Sequence, residues 1–251
     1  MKKVWLMAAF AAMATAFTVG SAAAITGGVN DDNGHPNVGG LVNGTQYSDG
    51  TWIYCSGTLI SPTVFLTAAH CGDDNTRVRV TIDSAYVAGD AIYSGTFHSD
   101  RLYSQVQSDP HDIAVVTLDK PIKSIQPAML PKAGALSKLS STQTFTAVGY
   151  GAYDVVNRPG GKAYLYNDVR MVAVGTLNST NPSWLRISMN DALGDGGTCY
   201  GDSGGPNFLG STTVLAATTI TGDAVCRATN VVYRLDTPAA RTFLAQFVTL
   251  P

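Results

Sequence analysis

The feature that most constrains this chain is its punctuation. From about residue 25 onward it runs in short stretches rich in β-branched and aromatic residues, each broken within a few positions by Gly, Asn, Asp or Pro. Thr58-Leu59-Ile60, Val64-Phe65-Leu66 and Ile113-Ala114-Val115-Val116 are continuous apolar runs of the kind buried on both faces, while Val78-Arg79-Val80-Thr81-Ile82 alternates with period two, as a half-buried antiparallel strand does. A second series follows residues 127–134, at 145–148, 169–174, 214–220 and 231–235. Runs this short, with no intervening helical pattern, exclude a parallel α/β sheet and predict an all-β chain. Two series joined near residues 127–134 predict two small barrels or sandwiches. One helix is expected, over about 237–248, where Thr237 can cap, Pro238 suits the first helical position and Phe243, Leu244 and Phe247 share a face.

The first 24 residues are set apart from this pattern. Met1-Lys2-Lys3 is a basic start, an apolar run continues to about Val19, and Ala22-Ala23-Ala24 supplies the small side chains a signal peptidase requires, so residues 1–24 are expected to be a secretory signal cut after Ala24. Removal takes Lys2 and Lys3 and no acid from 16 basic and 18 acidic side chains, leaving 227 residues with a formal charge of −4. That balance argues against a nucleic acid or an anionic membrane as partner. Export also gives the four cysteines a meaning, because an oxidising compartment favours disulfides. Three pairings are open; the spacing favours Cys55 with Cys71 and Cys199 with Cys226.

Three segments carry chemistry. A serine hydroxyl is a weak nucleophile near neutrality and needs a base, a group that orients the base, and donors for the developing oxyanion. Gly201-Asp202-Ser203-Gly204-Gly205-Pro206 sets a serine among glycines, where the amides of Gly201 and Ser203 can point at one oxyanion. Thr67-Ala68-Ala69-His70-Cys71 places a histidine after an apolar strand, beside a cysteine able to staple it. Asp112 opens the apolar run 113–116, at the edge of a core, where a shielded carboxylate can hold an imidazole tautomer.

These segments, in this order, resemble the three catalytic blocks of the trypsin/chymotrypsin family of secreted serine proteases. Cys199-Tyr200 before the last block and Val148-Gly149-Tyr150-Gly151, similar to a Gly-Trp-Gly segment, extend the likeness over the whole mature chain. The resemblance implies two packed six-stranded antiparallel β-barrels with a C-terminal helix. Barrel one is expected over about 25–130, carrying His70 and Asp112, and barrel two over about 131–236, carrying Ser203. It implies an endopeptidase with His70 as general base, Asp112 orienting it and Ser203 as nucleophile. No cofactor and no metal are implied, and the expected partners of a secreted or periplasmic monomer are protein or peptide substrates. Esterolysis, or a silent binding protein on the same fold, is the alternative; the complete set of three side chains disfavours the silent case.

Two further expectations come with the family. Ile25-Thr26-Gly27-Gly28 resembles the start of activated members, so a free ammonium at Ile25 is expected to pair with Asp202 and hold residues 201–203 in shape. Gly197, two before Cys199, corresponds to the base of the primary specificity pocket; with neutral Thr198 beside it and Val231 narrowing it, the pocket is expected to take an apolar, aromatic or small side chain. Asp195 would add a charge only if its loop shifted. His35, His98 and His111 are assigned to solvent-facing positions, and Asp73-Asp74-Asn75 to a turn.

Overall fold

The computed structural model describes residues 25–251; the expected signal peptide, residues 1–24, lies outside the described residues. The strands are β1 (Val29–Asn30), β2 (Val38–Val42), β3 (Ile53–Ser61), β4 (Val64–Thr67), β5 (Arg77–Thr81), β6 (Tyr93–Ser99), β7 (Ala114–Leu118), β8 (Thr144–Gly149), β9 (Asp154–Arg158), β10 (Gly161–Leu165), β11 (Met171–Thr180), β12 (Trp184–Ser188), β13 (Pro206–Leu209), β14 (Leu215–Gly222) and β15 (Thr229–Arg234). Six of them close a barrel in the order β2-β3-β4-β7-β6-β5, with β5 returning to β2 through Gly40 opposite Thr81 and Leu41 opposite Val80. A second barrel runs β11-β12-β15-β14-β13-β8 and is closed by β8 against β11. All these pairings are antiparallel. Full closure leaves neither barrel an open hydrogen-bonding edge.

The continuous apolar runs became the strands expected of them: β4 is buried at every position and β7 at all but one. β5 departs from simple alternation, being exposed at Arg77 and buried at Val80 and Thr81, because its second half is flanked by β2 as well as β6. β1 falls within the range expected for barrel one, yet it pairs with β11 of barrel two, so the N-terminal segment crosses onto the other barrel.

Each barrel has its own apolar filling. Leu41, Leu59, Phe65, Val80 and Phe97 fill the first, and Phe145, Leu185, Ile187 and Val232 the second. A third cluster lies between them, joining Val38, Leu66 and Ile113 to Val148, Phe208, Leu215 and Tyr233. The helix α1 (Pro238–Leu244) covers this cluster with Ala240, Phe243 and Leu244, and burying each of the two larger side chains contributes about 2 kcal/mol. Thr237 caps it as expected, its hydroxyl accepting from the Ala240 amide at 3.2 Å. The helix ends four residues before the expected limit of 248. Beyond Leu244 the chain continues in tighter turns, the Phe247 amide donating to the Leu244 carbonyl at 3.0 Å, and Phe247 packs on Phe243 and on the ring of His98 in β6, 5.2 and 5.5 Å between centroids.

The three histidines assigned to solvent are engaged instead. His98 bonds Thr117 Oγ1 at 3.0 Å. His111 is half-buried and its Nδ1 lies 2.9 Å from Asp100. His35 pairs with Asp31 and stacks on Phe208. In each case a long-range contact, invisible in the local sequence, captured a residue that local polarity had placed outside. Residues 73–76 form the expected turn, with the Thr76 amide on the Asp73 carbonyl at 3.2 Å.

Candidate active site

The first barrel presents His70 on a short 3-10 turn, Ala69–Cys71, that follows β4. A disulfide from Cys71 to Cys55 on β3 fixes that turn to the barrel. Asp112 lies just before β7 and is 1% exposed. Its Oδ2 is 2.8 Å from His70 Nδ1, and its Oδ1 accepts the His70 backbone amide at 3.1 Å. The carboxylate therefore holds both the ring and the main chain of one residue, which fixes the imidazole's orientation and leaves Nε2 directed away from Asp112.

Ser203 comes from the second barrel, in the loop before β13. It lines the same cavity as His70 and Gly201, a space of about 660 Å³ between the barrels. Among the described residues the imidazole's partner is Asp112 Oδ2, and no hydrogen bond joins it to Ser203 Oγ; in a resting site this contact is commonly long and tightens around substrate. The amides of Gly201 and Ser203 have no hydrogen-bond partner among the described residues, so both are available as donors. The loop is pinned across the barrels, the Ser203 carbonyl accepting from the Ser56 amide at 2.8 Å. Gly204 follows with φ +77°, where a Cβ would lie 2.1 Å from Thr67 Oγ1; only glycine meets both demands.

Ser56 gave no signal in the sequence. It is fully buried, its hydroxyl donating to the Gly201 carbonyl and accepting from the Tyr150 amide, both at 3.0 Å. It thus braces the Gly201 turn from the opposite barrel. A serine after a cysteine on a strand is unremarkable until the facing loop is known.

Asp202 is fully buried, and its carboxylate accepts from the amides of Gly151 and Cys199, each at 2.8 Å. No cation is paired with it among the described residues. Burial pushes its carboxyl up to about 7, against the opposing pull of those two amides. Ile25 is buried against Met171 and Ala173, and the Thr26 carbonyl accepts from the Gly197 amide at 3.0 Å, so the segment is docked beside the 195–199 loop. Ile25 has φ +68°, a strained value for a β-branched residue.

The expected specificity residues are only partly brought together. Thr198 lines the cavity, with Thr219, Thr221 and Gly222 opposite. Gly197 and Val231 do not. A Cβ on Gly197 would lie 2.4 Å from Met189 Cγ and Sδ, so the methionine covers that glycine, and it shares a buried cluster with the disulfide Cys199–Cys226. Val231, on β15, packs toward the cluster between the barrels. Asp195 is buried and bonded to Thr176 Oγ1 at 2.8 Å, directed away from the cavity. Asp223 does line the wall, but its oxygens accept the amides of Val225, Arg227, Ala228 and Thr229. Burial raises its carboxyl, and those four amides outweigh it and hold it below the ordinary value. Among the described residues the one grouping of potential metal ligands, Cys55, His70 and Cys71, contains two sulfurs already joined to each other, which removes them as thiolate donors.

Two closed antiparallel barrels with a His–Asp couple and a glycine-flanked serine on one cleft are the architecture of chymotrypsin-like proteins. Residues 25–242 match the family described as Trypsin, and the chain belongs to that family. Chymotrypsin-C of Bos taurus is 32% identical over 178 residues, 63% of this chain and 63% of its own length. Trypsin of Phaedon cochleariae is 30% identical over 179 residues, 62% of this chain and 64% of its own. The thrombin-like enzyme acutin of Deinagkistrodon acutus is 27% identical over 165 residues, 62% of this chain and 69% of its own. The matches thus leave about a third of each relative unaligned. The solved structure of HL collagenase shares the fold, with a TM-score of 0.63 at 21% identity over 90% of this chain and 96% of that one.

Proposed function

We propose that the protein is a serine endopeptidase acting through an acyl-enzyme on Ser203. His70 Nε2 takes the hydroxyl proton as Ser203 Oγ attacks the scissile carbonyl, and the amides of Gly201 and Ser203 bind the resulting oxyanion. The imidazolium, held by Asp112, then protonates the departing amine. Water repeats the cycle on the ester: His70 deprotonates it, the second tetrahedral intermediate collapses, and Ser203 recovers its proton as the acid product leaves. The observation that carries this reading is the buried Asp112 carboxylate bonded to His70, which lines the same cavity as Ser203. A nitrophenyl ester should release one equivalent of phenol per enzyme in a burst before a slower steady rate. A Ser203→Ala variant that retains the burst would refute the assignment.

The acyl-side pocket is proposed to accept an apolar or aromatic side chain. Support comes from the neutral Thr198, Thr219 and Ile220 that line it, and from the engagement of Asp195 and Asp223 with their own neighbours. Peptides that differ only at the residue before the scissile bond should show Phe, Leu or Met ahead of Lys and Arg; selective cleavage after Arg would overturn this.

The mature terminus is proposed to begin at Ile25 and to pair its ammonium with Asp202, with signal cleavage itself producing the active form. A buried carboxylate with no paired cation among the described residues, and an N-terminal segment docked beside the 195–199 loop whose Cys199 amide that carboxylate accepts, support this. Cleavage after Ala24 also abolishes the strained φ of Ile25, since a first residue has none. The chain is proposed to be exported on this route; no helix of the described residues is long and apolar enough to cross a membrane. N-terminal sequencing of protein recovered outside the cytoplasm should read Ile25-Thr26-Gly27.

A further inference from the structure

The lining of the cavity holding Ser203 falls into two stretches, here called its arms. One is the pocket around Thr198 and Thr219, where the Asp223 carboxylate is taken up by four backbone amides. The other extends past the Cys55–Cys71 disulfide to the segment before β3, where Tyr47, Asp49 and Tyr166 form the wall. His70 stands beside that disulfide in sequence and in space. A base that hands its proton to the leaving amine must have that amine on its own side, so the residues after the scissile bond run into the second arm.

The chemistry of this arm is one-sided. Asp49 Oδ1 accepts the Thr51 amide and hydroxyl, at 3.0 and 2.7 Å. Its Oδ2 has no partner among the described residues, and no Lys, Arg or His is paired with it there. Among the described residues no lysine or arginine lines the cavity. A second carboxylate lies close behind: Asp168 is buried and fixes the start of β3 by accepting the amides of Trp52 and Ile53 at 2.7 and 3.0 Å. Tyr47 and Tyr166 line the cavity together with Asp49. Burial first, and then the charge of Asp49, push the Tyr166 hydroxyl up to about 12 and the Tyr47 hydroxyl in the same direction, as their closeness to that carboxylate requires. An exposed, unpaired carboxylate in the same wall as two tyrosines offers a cation a counter-charge with aromatic surface beside it.

We propose that this arm is a subsite for a basic side chain, lysine or arginine, within the first residues after the scissile bond, with Asp49 as its charge partner and Tyr47 and Tyr166 as flanking faces. The proposal rests on the protease reading, since that reading decides which half of the substrate passes His70. It would give the enzyme opposite requirements on the two sides of the bond, apolar before and basic after.

The test uses quenched peptides identical up to the scissile bond and carrying Lys, norleucine or Glu at the first or second position after it. The Lys peptide should exceed the norleucine peptide in kcat/KM by about fivefold, the scale of a partly exposed ion pair, with Glu lowest. Raising the ionic strength should compress that ratio, and Asp49→Asn, which keeps an acceptor for Thr51, should bring it close to one. Equal turnover of the three peptides by the wild-type protein, or a ratio untouched by both salt and Asp49→Asn, would overturn the subsite. A peptide anilide with the same acyl half has no residue after the bond; failure to turn it over would count against the protease reading instead.

Discussion

At the scale of single residues, the site depends on groups that never touch substrate. Ser56 satisfies two main-chain groups with one hydroxyl, and Ser56→Ala leaves both the Gly201 carbonyl and the Tyr150 amide without it. The expected loss is about 2 kcal/mol in urea unfolding, and because Gly201 loses its brace, kcat should fall more than KM rises. Asp202 yields a pH dependence with a definite sign. In a chain whose Ile25 is still acylated, its carboxyl stands at about 7 when folded against an ordinary 3.8, so between those values the folded state holds the extra proton and stability falls as pH rises. Protein beginning at Ile25 should lack that decline, because an ammonium then compensates the charge. Melting temperatures from pH 4 to 8 for chains starting at Ala24 and at Ile25 decide it: parallel curves would contradict the pair.

At the scale of elements, the two disulfides each anchor a piece of the site. Cys55–Cys71 holds the 3-10 turn of His70 to β3, and Cys199–Cys226 joins the loop before Ser203 to the far wall of the cavity. Replacing Cys55 and Cys71 together by alanine opens a loop of 16 residues and should cost about 3 kcal/mol, with activity lost at lower denaturant than global fluorescence. Parallel loss of the two signals would show that the staple serves the barrel as a whole. The elements that sequence revealed are those whose own side chains state their burial, such as β4 and β7. β2 escaped notice because Gly39 and Gly40 sit in its middle; a Cβ on Gly39 would lie 2.2 Å from the Thr81 carbonyl, so a barrel contact requires what local propensity disfavours. The candidate catalytic residues were legible because their neighbours in sequence also shape their backbone. Met189, Ser56 and Asp49 were not, since their roles arise only where chain segments far apart meet.

At the scale of the whole molecule, the cleft exists because two closed barrels are held in register. Part of that hold is apolar, through Val38, Leu66, Phe208 and Tyr233. Part is a polar clasp around Arg170, which is fully buried in barrel two, paired with Asp31 at 2.8 Å and donating to the Val38 and Ile82 carbonyls of barrel one. Replacing the pair by apolar groups can be neutral, but removing one member leaves a charge buried. Arg170→Met should therefore destabilise by about 3–5 kcal/mol, while Asp31→Leu with Arg170→Met should recover much of the loss. Differential scanning calorimetry would read both, and equal losses in the single and double variants would contradict a clasp built on charge compensation.

The central claim is that a serine from one barrel is activated by a histidine from the other. Treatment with a serine-directed phosphonate followed by peptide mass mapping tests it most directly. One adduct per molecule is expected, on Ser203, slowed at least a hundredfold in His70→Ala and absent in Ser203→Ala. An adduct elsewhere, or on Ser203 at the same rate without His70, would contradict it.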